Sequence, residues 1–256
     1  MKSIVLLPKV YGAYRGRLLE TIRSELTEMV AELDIEVTNI GTDKKDHIVV
    51  NIRGEDEEFV ANALAKEYGR SLQSDNLVPN KTYPGQVIDV GKVGYGLYSD
   101  MGVVDSKQMD ALVPLHRLRE QLDLHGSLKT IAEAYVLVDY LPVEVILTGI
   151  DLYNNRVEAE FDRSTLTRIS EWMQDDHERL LVFGANRGQI EGTLKKTDHR
   201  EDIYEIEQLG KFEFSLRCKR STRASGILAA IGPRLRGVPM HLFIPKELEA
   251  KQHATT

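Results

Sequence analysis

The sequence predicts an α+β protein in which a small central β-barrel lies between two α/β sandwiches. Three observations lead to this prediction. The chain has 256 residues, which is longer than one ordinary small domain. Residues 84–114 alternate apolar and polar positions around several glycines, a pattern typical of short, strongly bent antiparallel strands. The segments on both sides mix this alternation with three- and four-residue apolar spacing, which predicts helices packed on sheets.

The first domain is predicted over residues 1–78 as an α/β sandwich with the element order β-α-β-β-α. Its long helix repeats apolar residues at three- and four-residue steps, so one face is expected to be buried. Four consecutive acidic residues open the second helix, where negative charge complements the helix dipole. We place the elements at 3–10 (strand), 14–33 (helix), 34–37 and 47–52 (strands) and 55–69 (helix). Residues 71–81 lack periodicity and are predicted to be a linker.

The central domain is predicted over residues 82–163 as a barrel of five strands. The stretch from Pro84 to Pro114 supplies three strands, and a fourth and a fifth alternate at 143–147 and 156–161. A short helix is expected at Leu115–Leu122. Residues 123–141 are expected to form an irregular connection. Five strands with a helix after the third match the plan of the OB-fold, a Greek-key barrel that binds oligonucleotides.

The third domain is predicted over residues 164–250 as a linker helix followed by a ferredoxin-like β-α-β-β-α-β unit. Trp172 in the linker helix and Cys218 in an alternating strand are expected to be buried. Asn186 is expected to cap the first helix of this unit. The last six residues, 251–256, are expected to be frayed. The first domain shows the same order of elements without the last strand.

Composition excludes several classes of protein. The only cysteine is Cys218, so neither an internal disulfide nor a multi-cysteine metal site can form. No apolar run is long enough to span a bilayer, and the apolar run near Met1 is too short for a signal peptide. We therefore expect a cytoplasmic protein with no membrane partner. The seven histidines show no metal-ligand spacing, and the glycines at 91–96 join strands instead of opening a helix as a phosphate loop does.

The net charge of −7 hides a basic module. The segment 211–246 contains eight basic residues and one acidic residue, on a chain that is otherwise acidic. Such a module indicates phosphate contacts in a nucleic-acid complex. Pairing with the acidic N-terminal half, or a solvated basic face, is the alternative interpretation. The candidate phosphate ligands are Arg217, Lys219, Arg220, Arg223, Arg234 and Arg236.

The central motifs carry a family resemblance. The order P-G-x-V, Y-G-x-Y-x-D-x-G, A-L-V-P and a final R-V resembles the RNA-binding barrel named after the largest protein of the small ribosomal subunit, the S-one type. This resemblance implies that Tyr95 and Tyr98 stack on RNA bases and that Arg156 adds a contact. The chain departs from the pattern at Pro114, where many members have histidine, and in the longer loop 103–110.

The stacking interpretation has a structural alternative. Residues three apart on a regular strand point to opposite faces, so one of Tyr95 and Tyr98 would then serve barrel packing. A bulge at Gly96 would bring both onto one face. Stacking on an aromatic side chain contributes about 1–3 kcal/mol per base and tolerates any base sequence.

The whole chain resembles an archaeal three-domain family of unknown function, domain-of-unknown-function family two-one-one-zero. The residues that carry this resemblance are S-G-I-L-A-A-I-G-P-R-L-R-G at 225–237. The family name implies no activity, so the function is argued from the sites.

Two functions follow as hypotheses. The first is a non-catalytic RNA-binding protein, with a role linked to the ribosome or translation as its extension, in which barrel and basic module form one continuous surface. The alternative is amino-acid sensing by the third domain, in which Arg223, Ser225 and Gly226 resemble an effector-binding turn. No catalytic residues, cofactor or metal are expected, because no enzyme motif stands out. The oligomeric state is left open.

Overall fold

The computed structural model of the protein describes residues 1–104 and 109–254. It confirms the α+β class and the central barrel. Residues 105–108, in the middle of the loop predicted to be long, lie outside the described residues. Every helix within the described ranges is too short or too polar to cross a lipid bilayer.

The first domain is a three-stranded antiparallel sheet covered by two helices. Its elements are β1 (Lys2–Lys9), α1 (Arg15–Met29), β2 (Ile35–Thr42), β3 (His47–Gly54) and α2 (Glu57–Tyr68), and the strand order is β1-β3-β2. The predicted apolar face of α1 is buried at Leu18, Ile22 and Leu26. The helix ends at Met29, earlier than predicted, because the next residues turn the chain into β2.

An isolated β-bridge to β1 follows α2. Arg70 bridges Leu6 in antiparallel sense, and the Ser71 N–H donates to the Val5 carbonyl over 2.9 Å. This places the segment beside β1, where a ferredoxin-like sheet has its last strand. The next residue, Leu72, pairs in parallel with Val103 at the barrel. Both pairings are isolated bridges, and the sheet that the structure describes in this domain has three strands, in agreement with the predicted order of elements without the last strand.

The central domain is a closed barrel in the order β4-β5-β6-β8-β7, with β6 and β8 parallel and the other pairs antiparallel. Its strands are β4 (Thr82–Ile88), β5 (Gly96–Asp100), β6 (Ala111–Pro114), β7 (Pro142–Asp151) and β8 (Arg156–Phe161). Helix α3 (Leu115–Leu122) follows the third strand, as the OB-fold prediction required.

The connection predicted to be irregular contains a helix, α4 (Leu128–Tyr135). The side chain of Ser127 accepts a hydrogen bond from the Thr130 N–H and caps its start. The helix is only eight residues long, and it buries Leu128, Ile131 and Ala134 against its neighbours. So short a helix is held mainly by tertiary packing, which a periodicity argument cannot detect.

The third domain has the ferredoxin-like strand order β10-β11-β9-β12 with antiparallel pairs. Its elements are α5 (Arg163–Gln174), β9 (Arg179–Phe183), α6 (Arg187–Lys196), β10 (Ile203–Gln208), β11 (Glu213–Cys218), α7 (Ala224–Ile231), β12 (Met240–Phe243) and α8 (Pro245–His253). Asn186 and Gln189 form a capping box at the start of α6, so the predicted cap is confirmed. Trp172 and Cys218 are buried, as predicted.

Residues 251–253 are helical where the sequence predicted fraying, and residues 255–256 of that prediction lie outside the described residues. Helix α8 extends to His253, with Pro245 at its start and Leu248 buried. It packs against α4 and α5, and the Gln252 side chain donates to the Ala134 carbonyl over 3.4 Å. The expectation of a frayed end is therefore wrong for 251–253, because packing against the central domain holds a segment of weak periodicity.

The first domain and the barrel meet through buried charges. Lys9 and Asp100 form an ion pair in which the side chains are 7% and 1% exposed. His47 lies between a carbonyl and a carboxylate: its Nδ1 is 2.8 Å from the Leu7 oxygen and its Nε2 is 3.2 Å from Asp100. Burial acts to raise the pKa of Asp100, but the His47 hydrogen bond and the charges of Lys9, His47 and Lys45 outweigh it. The pKa of Asp100 therefore lies well below its usual range.

The first and third domains meet through Tyr11 and Glu213. The Tyr11 hydroxyl donates to the Glu213 carboxylate over 2.6 Å, and its ring stacks on Tyr140 at 3.7 Å between centroids. Burial raises the pKa of Glu213 from 4.5 to about 7, and hydrogen bonds from Tyr11, the Phe212 N–H and Gln86 limit the rise. A cavity of about 180 Å³, lined by all three domains, lies beside this carboxylate.

We predict that Gly96→Ala destabilises the barrel. An added Cβ would lie 2.5 Å from the Val113 carbonyl oxygen and 2.7 Å from a Leu112 methyl carbon. Forcing such contacts costs roughly 1–3 kcal/mol of the free energy of unfolding, measured by urea denaturation. Gly94→Ala is the matched control, because its Cβ would meet nothing within 4 Å. Equal stability of the two variants would show that strands β5 and β6 do not approach as closely as described.

We predict that Glu213 makes stability fall as pH rises from about 5 to 8. Above 4.5 the unfolded chain loses this proton, whereas the folded protein keeps it up to about pH 7. The folded state therefore binds more protons than the unfolded state in this window. The free energy of unfolding falls by roughly 3 kcal/mol across it. In Glu213→Gln this loss should be absent. The test compares urea unfolding of both proteins at pH 5 and pH 8, and an equal loss in both would contradict the prediction.

Candidate nucleic-acid interface

One outer face of the barrel is formed by strands β5, β6 and β8. Tyr98 on β5 is in register with Leu112 on β6, and Leu112 is in register with Glu158 on β8. Their sequence neighbours point inward and are buried, at Leu97, Val113 and Val157. We call the surface formed by Tyr95, Tyr98, Leu112, Arg156 and Glu158 the aromatic face.

Tyr95 and Tyr98 lie on the same side of the barrel. Their hydroxyl oxygens are 2.9 Å apart, and their rings meet edge to face with centroids 6.4 Å apart. The alternation rule does not separate them, because Tyr95 precedes β5, which begins at Gly96. The Tyr95 carbonyl instead accepts from the Leu115 N–H over 2.8 Å, which fixes the chain at this point.

The two tyrosines differ in exposure. The Tyr95 side chain is 56% exposed, whereas Tyr98 is half-buried. The hydrogen bond to Tyr95, followed by burial, raises the pKa of Tyr98 to about 12. Both rings are therefore positioned by a contact with each other, and Tyr95 presents the larger free surface to a ligand.

Arg156 begins β8 and is exposed at the edge of the aromatic face. Its positive charge acts on Tyr98 and opposes the effect of Asp110 there. The face also carries Glu158, which is exposed. Its charges therefore nearly balance, and any attraction of phosphate to this surface depends on Arg156.

The first domain borders the aromatic face. Tyr98 and Asp100 lie two residues apart on β5 and so belong to the same side of the strand. Lys9 and His47 of the first domain cover Asp100, whereas Tyr98 stays open. Lys45 of the first domain reaches Asp110 over 2.8 Å at the same border. Strand β5 therefore holds the barrel to the first domain through Asp100 and presents Tyr98 beside this contact.

The turn between β7 and β8 carries aromatic surface that sequence reasoning missed. Tyr153 is 91% exposed and Leu152 is 44% exposed. The signal available was a tyrosine between the fourth and fifth predicted strands, in a loop that OB-folds use for ligands. Because β5 runs antiparallel to β6, and β6 parallel to β8, this turn and Tyr95 lie at opposite ends of the aromatic face.

Most of the predicted phosphate ligands are held in ion pairs within the third domain. Their contacts are Arg217 to Asp175 at 2.8 Å, Lys219 to Glu201 at 4.0 Å, Arg220 to Asp176 at 3.6 Å and Arg223 to Glu178 at 2.6 Å. Arg217 also lies over the Tyr204 ring. The partners are carboxylates of the third domain itself, whereas the alternative interpretation of the sequence placed them in the acidic N-terminal half. Among the residues that the structure describes, Lys211 is the one member of the basic module that forms an ion pair with that half, at Glu25.

Arg234 and Arg236 differ from this group. Both are exposed and have no ion pair with any residue that the structure describes. Across the described ranges, no hydrogen bond or ion pair joins the six basic candidates to Tyr95, Tyr98 or Arg156. The structure therefore groups the three barrel residues together, and a continuous surface with the basic module stays a prediction.

The turn proposed for amino-acid sensing is filled by the protein itself. The Glu178 carboxylate accepts from the Ala224 N–H over 2.7 Å and pairs with Arg223. This is the position at the start of α7 that the carboxylate of an effector would take. The geometry therefore does not favour the sensing hypothesis.

The fold and the site define a three-domain protein built on an OB-type barrel between two α/β units. The chain belongs to the DUF2110 family: it matches the DUF2110 N-terminal domain over residues 3–74, the central domain over 77–173 and the C-terminal domain over 177–242. The central match includes α5, in agreement with the packing of this helix on β7. A search of the curated proteins found no match.

Proposed function

We propose that the protein binds single-stranded RNA through the aromatic face, without catalysis. The observation that carries the proposal is the pair of exposed tyrosines, Tyr95 and Tyr153, at the two ends of this face. Between them lie Tyr98 and Arg156, one half-buried and one exposed. OB-folds bind oligonucleotides with this strand face and with the two loops that border it.

The dimensions suit a short single strand. About four residues of β5 separate the two ends, which corresponds to roughly 13 Å at about 3.3 Å per residue. Two or three unstacked bases cover such a length. Each base stacked on a tyrosine contributes about 1–3 kcal/mol, and any base offers a suitable face.

Charge predicts how this binding depends on salt. Binding to a single strand releases counterions from each phosphate that the protein neutralises. The logarithm of the binding constant therefore falls with the logarithm of the salt concentration, with a slope of about 0.7 per neutralised phosphate. Arg156 is the unpaired cation at the aromatic face among the residues described. We therefore expect a shallow salt dependence, and affinity that comes mainly from stacking.

The motif order that resembles the S-one type barrel favours RNA as the nucleic acid. A partner that offers unpaired RNA segments fits this surface, and a ribonucleoprotein particle such as the ribosome presents many of them. The proposal therefore extends to an association with ribosomes or translation. It would show as cosedimentation of the protein with ribosomal particles at low salt.

We predict that Tyr153→Ala weakens RNA binding by roughly 5- to 150-fold, since it removes one stacking platform. The measurement is fluorescence anisotropy with a labelled ten-nucleotide uridine oligomer. Tyr153 is almost fully exposed, so its loss should not affect folding. Phe59→Ala is the control, because Phe59 is also an exposed aromatic residue but lies on the first domain. Equal binding by both variants and the wild type would contradict the proposal.

We predict that Arg156→Gln weakens binding modestly and makes the slope against log salt shallower by about 0.7. The reason is the loss of one phosphate contact while the tyrosines remain. Titrations at a series of salt concentrations from about 20 to 200 mM potassium chloride measure the slope. An unchanged slope would show that Arg156 does not meet a phosphate.

A further inference from the structure

A second cleft lies between the first and third domains, away from the aromatic face. It has a volume of about 350 Å³. Its walls are the start of α1, one side of α6 and the turn that follows α7. Its lining residues all come from these three elements. None of these is acidic.

Three cations meet in this cleft from three different elements. Arg17 comes from α1, Lys196 from the end of α6 and Arg234 from the turn after α7. None of them forms an ion pair with a residue in the described part of the chain, in contrast to Arg217 and Arg223. Arg17 is placed over the Tyr14 ring, 5.4 Å from its centroid. Like charges brought together without a carboxylate favour an anion.

The wall formed by α6 is open to a ligand. Gly192 has no side chain, and an added Cβ would meet nothing within 4 Å. Gly188, one turn earlier, is also exposed. Gln189 lies between them, and its Nε2 is buried without a hydrogen-bond partner, whereas its Oε1 accepts from the Asn186 N–H over 2.9 Å. An unpaired buried donor at the cleft is costly unless an acceptor reaches it.

The cleft is held in shape by contacts between the two domains. The Tyr14 hydroxyl donates to the Arg234 carbonyl over 3.2 Å. The Asn186 side-chain amide donates to the Thr21 hydroxyl over 2.9 Å. These contacts fix α1 against α6, so the three cations need no domain movement to converge. A site of this kind binds with a smaller loss of conformational entropy.

We propose that this cleft binds the phosphate group of an anionic ligand, with Arg17, Lys196 and Arg234 as its ligands. Guanidinium groups suit phosphate because their N–H donors match its oxygens, and the ammonium group of lysine adds a point charge. The phosphate can belong to a small phosphorylated molecule or to the backbone of RNA. The site contains no residue of the aromatic face, so its test is separate from the test of the proposed RNA binding.

The first test uses the full chain and titration calorimetry at low salt with inorganic pyrophosphate, a nucleoside triphosphate and a ten-nucleotide RNA. The variant is Arg17→Gln/Lys196→Gln/Arg234→Gln. The matched control, Arg53→Gln/Lys129→Gln/Arg163→Gln, changes the same charges at exposed positions elsewhere. We expect pyrophosphate to bind the control as it binds the wild type, and to bind the cleft variant at least about 30-fold more weakly.

The second test leaves the cations in place. Gly192→Glu puts a carboxylate into the open space of the cleft, and Gly226→Glu is its control on α7, where an added Cβ also meets nothing within 4 Å. We expect Gly192→Glu alone to abolish pyrophosphate binding, with an unchanged melting temperature in the absence of ligand. This separates blockage of the site from a folding defect.

Comparison of the nucleoside triphosphate with the RNA distinguishes the two sources of phosphate. Loss of triphosphate binding with unchanged RNA binding assigns the cleft to a small molecule. A parallel loss of RNA affinity, while Tyr153→Ala acts independently, assigns it to the RNA backbone. Pyrophosphate binding that is equal in the cleft variant and its control would overturn the proposal, and so would no binding of any of the three ligands to the wild type at low salt.

Discussion

The docking of the three domains depends on the pairing of buried polar and charged groups. Asp100 of the barrel is out of water and ionised, and Lys9 and His47 of the first domain supply its partners. Glu213 of the third domain accepts a hydrogen bond from Tyr11 of the first. A buried pair contributes little net stability, but loss of one partner is strongly destabilising. We infer that another arrangement of the domains would leave such a group unpaired, so these contacts specify the arrangement.

This constraint also sets which surfaces are free. The first domain covers the Asp100 end of β5, so the half-buried Tyr98 lies beside a fixed border instead of on an isolated barrel. The same docking brings α1 against α6 and gathers cations from both outer domains into one cleft. Two candidate binding surfaces therefore depend on one set of internal contacts, although each is tested on its own.

The sequence predicts the strands, helices and caps that are specified by local patterns of residues. Alternation and glycine spacing gave the five barrel strands, and the Asn186 cap was visible because its partner Gln189 is three residues away. Helices α4 and α8 could not be predicted, since their stability comes from packing between domains. The same limit applies to the site. Tyr95, Tyr98 and Arg156 were identified from motifs, whereas the carboxylates that neutralise Arg217 and Arg223 are neighbours only in the fold.

The contact between Tyr11 and Glu213 also has a consequence for biosynthesis. The two residues are separated by 202 positions in the chain, whereas Lys9 meets Asp100 much earlier. At about 5–20 residues per second, the ribosome needs on the order of 10 s to progress from Asp100 to Glu213. During this interval the last barrel strands are synthesised and Tyr140 can stack on Tyr11, while the Tyr11 hydroxyl still lacks its partner Glu213.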